Sequence, residues 1–337
     1  MLGAYHTNML NKDLNLSTDI FSEGIEKKAT RDGFGNGTVE AGKKDPSVVV
    51  LCADLKESTR AEWFEKEFPD RFIEVGVAEQ NMATVAAGMA AVGKRPFIAS
   101  YAAFSPGRNY EQIRTTIALN QVPVVVCGMH AGVSVGPDGA THQMLEDIGM
   151  MRMLPGMNVI VPGDAEEARK AVLAAASAEN PTYLRFGRAP TPVFTTRETS
   201  FEIGKALPLW DSAKPRIALM ATGALSYEAL LAARALSSDG IEVSVLHVPS
   251  VKPLDEERVL SAAKRAGRVM TIEEHQVMGG FGGAIAEFLG EHYPVPVQRL
   301  GLRDEFGQSG EPTELLAHYG LSAAAIAAKV RSVLGSR

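Results

Sequence analysis

The sequence is short of several features that would define a function class by themselves. It has two cysteines, Cys52 and Cys127, and each lies in an apolar run, so we predict buried core thiols and no disulfide framework. No apolar run approaches the roughly 20 residues that cross a bilayer, and the polar N-terminal residues 1–15 lack a signal-like apolar stretch. We therefore expect a soluble, cytoplasmic protein that does not bind a membrane.

Basic tracts are also missing. The net charge is -6, from 40 acidic and 34 basic side chains, so a nucleic acid is not an expected partner. With 337 residues, of which 45% are hydrophobic, the chain can form about two domains with substantial cores.

What the sequence does contain is a regular alternation of strand-like and helix-like segments. Short apolar runs rich in β-branched residues predict a first set of parallel strands at 47–52, 72–75, 97–100, 122–127, 159–161 and 182–186. The clearest helix between them begins after Asp164, an N-cap with Glu167 three residues later. A second set of strands is predicted at 217–221, 241–245 and 269–272, with helices near 226–236, 255–266 and 284–289.

These patterns predict an α/β fold class with two doubly wound domains built on mostly parallel sheets. We place the first domain at residues 21–188 and the second at 216–337. Residues 189–215 are rich in proline, threonine and charge, which favours an extended linker.

In open parallel sheets, ligands bind beyond the carboxyl ends of the strands, and three of the loops expected there carry unusual residues. Glu79 follows one strand and begins a helix; Tyr101 and Phe104 follow the next. A third loop, 130–142, contains His130, Asp138 and His142 among glycines that allow tight folding. Because these loops come from one sheet, we expect them to open on the same side of it.

Each feature also has a plainer interpretation. Glu79 could simply favour the start of a helix through the macrodipole, and the two aromatic residues could be core. His130, Asp138 and His142 suit zinc or iron, but their spacing matches no compact metal motif, so we predict no metal ligands. The glycines at 33, 35 and 37 and those in 278–284 favour close helix packing over phosphate binding.

Taken together, residues 21–334 resemble the C-terminal half of transketolases, which use thiamine diphosphate to move two-carbon ketol units between sugar phosphates. The resemblance implies that Glu79 hydrogen-bonds the cofactor's aminopyrimidine and shares a proton with it, which an apolar surround favours. It also implies that Tyr101 and Phe104 pack on the pyrimidine ring and exclude water. Glu79, His142 and His130 are then the candidate catalytic residues.

The same resemblance assigns substrate contacts. His130, Asp138 and His142 correspond to the family's sugar-handling loop, where the imidazoles would stabilise a developing alkoxide and transfer protons. Arg31, Ser58 and Arg188 are candidate ligands of the substrate phosphate, which arginine grips with forked donors. The second domain resembles the family's C-terminal domain, which contributes little to the chemistry.

One family motif is missing. Transketolases hold the diphosphate through Mg²⁺ with a Gly-Asp-Gly motif on a preceding domain, and no Gly-Asp-Gly occurs in these 337 residues. We therefore predict one subunit of a split transketolase, active only with a partner that resembles the N-terminal half and carries the diphosphate and Mg²⁺ site. An α2β2 heterotetramer acting on sugar phosphates in the pentose phosphate pathway is the expected form.

Three alternatives stay open. Deoxyxylulose-phosphate synthases share the Glu79 segment and a similar third loop, but they carry arginine at the position of His130. The β subunits of 2-oxo acid dehydrogenases share the architecture but lack the set His130, Asp138 and His142. The non-enzymatic alternative is a scaffold subunit that has kept the fold without the chemistry.

Overall fold

The computed structural model of the protein describes residues 9–335. Its strands are β1 Lys27–Lys28, β2 Val48–Cys52, β3 Phe72–Glu74, β4 Arg95–Tyr101, β5 Val125–Met129, β6 Asn158–Ile160, β7 Thr182–Arg185, β8 Thr191–Pro192, β9 Leu207–Trp210, β10 Ala218–Ala221, β11 Ser244–His247, β12 Ser250–Lys252, β13 Val269–Gln276 and β14 Val297–Leu302.

The α-helices of the same residues are α1 Thr30–Lys44, α2 Lys56–Thr59, α3 Ala61–Glu67, α4 Glu79–Ala91, α5 Tyr110–Gln112, α6 Asp147–Arg152, α7 Ala165–Ala176, α8 Leu225–Ser238, α9 Glu256–Ala266, α10 Phe281–His292, α11 Pro312–His318 and α12 Ala323–Gly335. A π-helix, Ile113–Ala118, continues α5. Short 3₁₀ turns occupy Lys12–Leu14, Pro69–Arg71 and Val133–Val135.

Within residues 9–335, the larger sheet has seven strands in the order β12-β6-β7-β5-β4-β2-β3. All neighbours except β12 and β6 are parallel, and helices cover both faces, so the central strands are apolar along their whole length. The six strands predicted for the first domain are present. The strand predicted at 122–127 begins later, at Val125, because Pro123 has no N–H to donate to a neighbouring strand.

The second sheet is formed by strands in the order β14-β13-β10-β11-β9, and β9 is antiparallel to β11. The prediction of an α/β fold with two mostly parallel sheets is confirmed. Residues 189–215, however, are not a plain linker. They contain β8, which pairs with β1, and β9, which buries Leu207, Leu209 and Trp210 and tolerates Pro208 at the edge of the sheet.

One strand from the second half of the chain also joins the larger sheet. β12 follows β11 in the chain, yet it pairs with β6 and closes the edge of the larger sheet. The segment that the sequence places in the second domain thus completes the first domain's sheet.

Close packing of helices explains the glycines of α1. The Asp164 side chain accepts a hydrogen bond from the backbone N–H of Glu167 and caps α7, as predicted. A Cβ atom at Gly33 would lie 2.2 Å from the carbonyl oxygen of Ala165, at the start of α7. The two helices therefore touch through backbone, and the packing interpretation of these glycines is correct.

Both cysteines are buried and free, as predicted. Burial raises the pKa of the Cys52 thiol to about 11, which keeps it protonated. Within the part of the chain that the structure describes, no helix is long and apolar enough to cross a membrane.

Candidate active site

The loops singled out in the sequence meet at the carboxyl edge of the larger sheet. β3 leads to Glu79 at the first residue of α4, β4 ends at Tyr101, and β5 ends just before His130. Since these strands are parallel, their carboxyl ends share one edge, and the side chains that follow them come together there.

Glu79 is a buried carboxylate, 1% exposed, at the N-terminus of α4. Its Oε2 atom accepts a hydrogen bond of 2.7 Å from Nη1 of Arg108, whose side chain is 45% exposed. Asn109 Nδ2 donates to the Glu79 backbone carbonyl at 3.0 Å and fixes the loop to the helix. In the described residues no hydrogen bond reaches Oε1, so one carboxylate oxygen is oriented and the other is left for a ligand.

Aromatic rings connect this carboxylate to the histidines. The Arg108 guanidinium lies 4.8 Å from the centre of the Phe104 ring, which stacks on Tyr101 with centroids 5.8 Å apart. His142 stands edge-on to both rings, at 5.9 Å from Tyr101 and 5.6 Å from Phe104. Tyr101 and Phe104 are only partly buried, so they line a surface and do not fill the core.

His130 lies on the other side of Tyr101. Their rings stack at 3.9 Å, and the His130 backbone has a φ of 55°, an uncommon left-handed conformation for a histidine. Burial, together with the charges of Arg31 and Arg188, lowers the pKa of His130 to about 3, so the imidazole is neutral at physiological pH. Its Nε2 atom lies 3.3 Å from Arg31 Nη1 and accepts from it, which leaves the proton on Nδ1, a buried atom without a protein partner among the described residues.

Guanidinium groups gather beyond His130. Arg31 Nη1 donates to the Ser58 carbonyl oxygen at 2.8 Å, and Arg188 Nη1 donates to the Val135 carbonyl oxygen at 2.8 Å. Burial and the nearby charge of Arg60 lower the pKa of Arg31 from its usual value. The positive charges of Arg31, Arg60 and Arg188 lie close enough to act on one another, which suits an anion site.

Asp138 is the one predicted residue that the structure does not draw into this network. Its side chain is exposed in the tight part of the loop, where the Gly139 N–H bonds the Gly136 carbonyl oxygen at 3.1 Å. No contact between the Asp138 side chain and the other predicted residues is described within residues 9–335. It faces outward, where a ligand or another chain can reach it.

The residues fit one part of the predicted cofactor. A carboxylate with a free oxygen beside two flat aromatic rings suits an aminopyrimidine, which needs a hydrogen-bond partner and apolar faces. No group of three metal-ligating side chains that could hold Mg²⁺ is found among the described residues. Glu273 occupies the N-terminus of α10, accepting the N–H groups of Phe281 at 2.6 Å and Gly282 at 2.8 Å, so phosphate does not bind at this glycine-rich turn.

The sequence interpretation missed Arg108, Asn109 and Arg60. A buried carboxylate requires a charged or hydrogen-bonding partner, and Arg108 ends the loop already selected for its aromatic residues. The need for such a partner could therefore have identified Arg108 from the sequence. Arg60 gave no such signal, since it lies at the junction of α2 and α3, far along the chain from Arg31, and approaches the site through its ion pair with Asp32.

Comparison with known proteins places the chain in a family. The profile of the transketolase pyrimidine-binding domain matches residues 26–192, and that of the transketolase C-terminal domain matches residues 204–326. The chain belongs to the transketolase family, whose members generally depend on thiamine diphosphate. It corresponds to the C-terminal half of a transketolase, as the sequence predicted.

The most similar relatives include separate subunits. A putative transketolase C-terminal section from Methanocaldococcus jannaschii is 40% identical over 90% of this chain and 95% of that protein. The 6-deoxy-6-sulfo-D-fructose transketolase subunit SqwH of Clostridium sp. is 39% identical over 90% of this chain and 94% of that protein. One of the subunits of the apulose-4-phosphate transketolase of Phocaeicola vulgatus is 38% identical over 87% of this chain and 93% of that protein.

A solved structure gives the same result. A split-gene transketolase described as an inactive β4 tetramer is 42% identical, has a TM-score of 0.84, and aligns with 91% of this chain and 98% of that one. These relatives support a transketolase subunit over the alternatives left open by the sequence.

Proposed function

We propose that this chain, together with a second subunit, transfers a two-carbon ketol unit from a ketose phosphate to an aldose phosphate. The observation that carries the proposal is the unbroken series of contacts from Glu79 through Arg108, the aromatic pair and His130 to Arg31. Along this series, the carboxylate and the flat apolar rings would suit a cofactor ring. The imidazoles that follow would suit a sugar, and the guanidinium groups at the end would suit its phosphate.

Thiamine diphosphate, when bound, would supply the nucleophilic carbon for this reaction. Glu79 Oε1 would hold a proton at the aminopyrimidine while Arg108 keeps the carboxylate in position through Oε2. Tyr101 and Phe104 would orient the ring and exclude water from that hydrogen bond.

The histidines and arginines would act on the sugar. Neutral His130 has its proton on buried Nδ1, and His142 stands beside both aromatic rings, so the two imidazoles can donate to a developing oxyanion or exchange protons with hydroxyl groups. Arg31 and Arg188, with Ser58, would bind the phosphate, and outward-facing Asp138 would accept from a sugar hydroxyl.

A partner chain would supply the diphosphate and Mg²⁺ site, and the lack of any group of three metal-ligating side chains among the described residues supports this. The helix that carries Glu79 supports such a partner. Val77, just before α4, is 68% exposed and Val92, just after it, is 80% exposed, which favours coverage by apolar surface of another subunit. The related β4 tetramer is described as inactive, which supports a catalytic role for the missing subunit.

The proposal includes an α2β2 heterotetramer in the cytoplasm that takes part in the pentose phosphate pathway. The guanidinium cluster supports phosphorylated sugars as substrates, although the relatives differ in their named sugars. Of the separate-subunit relatives, one is named for a sulfo-sugar and another for a sugar phosphate, so the donor is a point for direct assay.

Reconstitution tests the proposal. The chain is mixed with thiamine diphosphate, Mg²⁺ and a subunit from the same source that contains the Gly-Asp-Gly motif. Ketol transfer is then measured with xylulose phosphate and ribose phosphate. We expect transfer in the mixture and none with either chain alone. Equal activity of this chain by itself would contradict the need for a partner, and turnover of pyruvate with glyceraldehyde phosphate would favour a deoxyxylulose-phosphate synthase instead.

A further inference from the structure

The 130–142 loop of the first domain is contacted at several points by the second domain. This loop carries the two histidines and the aspartate of the candidate site, and its central turn, Val133–Val135, packs against the end of the molecule that contains α11. Sequence resemblance alone implied that the second domain has little part in the chemistry. The contacts between the two domains indicate a more specific contribution.

The first contact is a carboxylate on β13. Glu274 Oε1 accepts a hydrogen bond of 2.5 Å from the backbone N–H of Ser134, within the 3₁₀ turn. A Cβ atom at Gly132, where φ is 88°, would lie only 2.4 Å from the same oxygen. Glycine at 132 thus allows the Glu274 carboxylate to reach the turn that follows His130.

The second contact is made by a loop of the second domain, residues 307–310. Gln143, directly after His142, donates from Nε2 to the Val133 carbonyl oxygen and to the Gln308 carbonyl oxygen, both at 3.1 Å. A Cβ atom at Gly139 would lie 2.4 Å from Ser309 Oγ. The part of the loop that follows Asp138 therefore rests on this segment of the second domain.

The Arg185 side chain holds β13, the strand that carries Glu274, in place. Its guanidinium donates to the Glu274 carbonyl oxygen at 2.9 Å and to the Met144 carbonyl oxygen at 3.3 Å, and its Nε bonds the buried Asp147 carboxylate at 2.7 Å. One side chain thus joins β13 to the end of the loop, and Glu274 is held at both its backbone and its side chain.

We propose that Glu274 is a positioning residue for the sugar-binding loop, and that the second domain sets the geometry of His130 and His142 through it and the 307–310 segment. Glu79, Tyr101 and Phe104 lie on other loops and have no described contact with Glu274. The inference rests on the proposed function for its kinetic consequence, but the loop order on which it depends can be measured in the chain alone.

The kinetic test uses the reconstituted complex and two substitutions of one residue. Glu274→Ala removes the acceptor, so we expect kcat/KM for the sugar donor to fall at least tenfold while the affinity for thiamine diphosphate stays within twofold of wild type. Glu274→Gln keeps an oxygen acceptor for the Ser134 N–H and should restore most of the activity. Loss of sugar turnover and cofactor binding together, or equal losses for both variants, would overturn the proposal.

A second variant approaches the loop from the other domain. In Gly307→Ala the new methyl group would lie 2.1 Å from Gln143 Oε1 and must displace that side chain, whereas a methyl group at Gly290 meets nothing within 4 Å. We expect Gly307→Ala to raise the sugar KM several-fold and Gly290→Ala to match wild type. An unchanged KM in Gly307→Ala would count against a contribution from the 307–310 segment.

Amide hydrogen exchange in the isolated chain separates this inference from the proposed function. We expect Glu274→Ala to accelerate exchange at least tenfold in residues 131–143 and to leave α4 unchanged, with Glu274→Gln close to wild type. If the wild-type complex fails to transfer ketol units, the proposed function fails, and the exchange result still decides the role of Glu274. Wild-type protection of 131–143 in Glu274→Ala would refute that role.

Discussion

A buried glutamate and a buried histidine lie at the carboxyl edge of each sheet, but their hydrogen-bond partners differ between the two sheets. At the carboxyl edge of the larger sheet, Glu79 has a single charged partner and an oxygen without a described donor, and His130 has a buried nitrogen without a described partner. At the end of β13 in the smaller sheet, Glu273 accepts two backbone N–H groups and His275 bonds the Gln276 carbonyl oxygen.

The difference shows that two buried glutamates of this fold differ in whether their oxygens are available to a ligand. Burial raises the pKa of Glu273 to about 7, a value that would suit an acid–base catalyst, yet its oxygens are occupied by the N-terminus of α10. Glu79 has the free atom and the aromatic neighbours instead. A perturbed pKa alone would select Glu273, whereas the hydrogen-bond partners favour Glu79, the residue proposed as catalytic.

The largest expected effect comes from removing the acid–base function of Glu79. Glu79→Gln in the reconstituted complex should lower turnover by about 10²- to 10⁴-fold, the usual contribution of general acid–base catalysis. Ketol transfer and thermal unfolding of the purified chain measure activity and folding separately. The matched control is Glu179→Gln at an exposed glutamate, which should behave as wild type; unchanged turnover in Glu79→Gln would place the catalytic group elsewhere.

Removing Arg185, which donates hydrogen bonds to three acceptors, should instead lower the stability of the fold. Arg185→Met removes the guanidinium donor from two carbonyl oxygens and from the buried Asp147 carboxylate, which keeps only the Tyr183 hydroxyl as a donor among the described residues. We expect a loss of about 3–5 kcal/mol in the free energy of unfolding. Urea unfolding of the chain alone measures this. Arg331→Met removes an exposed ion pair with Asp239 and should cost less than about 1 kcal/mol; similar losses in the two variants would erase the contrast.

Arg108→Met tests whether orientation of Glu79 matters apart from its presence. The variant loses one hydrogen bond between charged groups, which corresponds to about a tenfold to hundredfold fall in turnover. Arg108→Lys keeps the charge without the forked geometry and should fall between the two. Equal turnover in wild type and Arg108→Met would show that Oε2 needs no fixed partner.

The smallest effect, counted per pH unit, concerns the neutral state of His130. Its pKa falls from an ordinary 6.5 to about 3 on folding, so between these values the unfolded chain holds a proton that the folded chain does not. Acidification through this window therefore favours unfolding, by up to about 1.4 kcal/mol per pH unit. In His130→Asn this contribution disappears; urea unfolding measured from pH 4 to pH 7 should show a shallower slope, and parallel curves would contradict a neutral His130.

The predictable parts of the fold and site follow short-range rules. Apolar runs marked the strands and Asp164 marked the start of α7, because periodicity and capping are local properties. Resemblance placed Glu79, Tyr101, His130 and their neighbours in one site. The pairing of β12 with β6 and the reach of Glu274 to Ser134 are contacts between segments far apart in the chain, and local patterns hold no information about them.

The position of β12 has a consequence for how genes of this kind can be divided. Because this strand is encoded after the smaller sheet begins and yet closes the larger one, a break anywhere between the two matched domains would separate a sheet from its edge strand. Each product would then carry an unpaired strand edge that is prone to aggregate. We therefore expect the two domains of this chain to be translated as one unit.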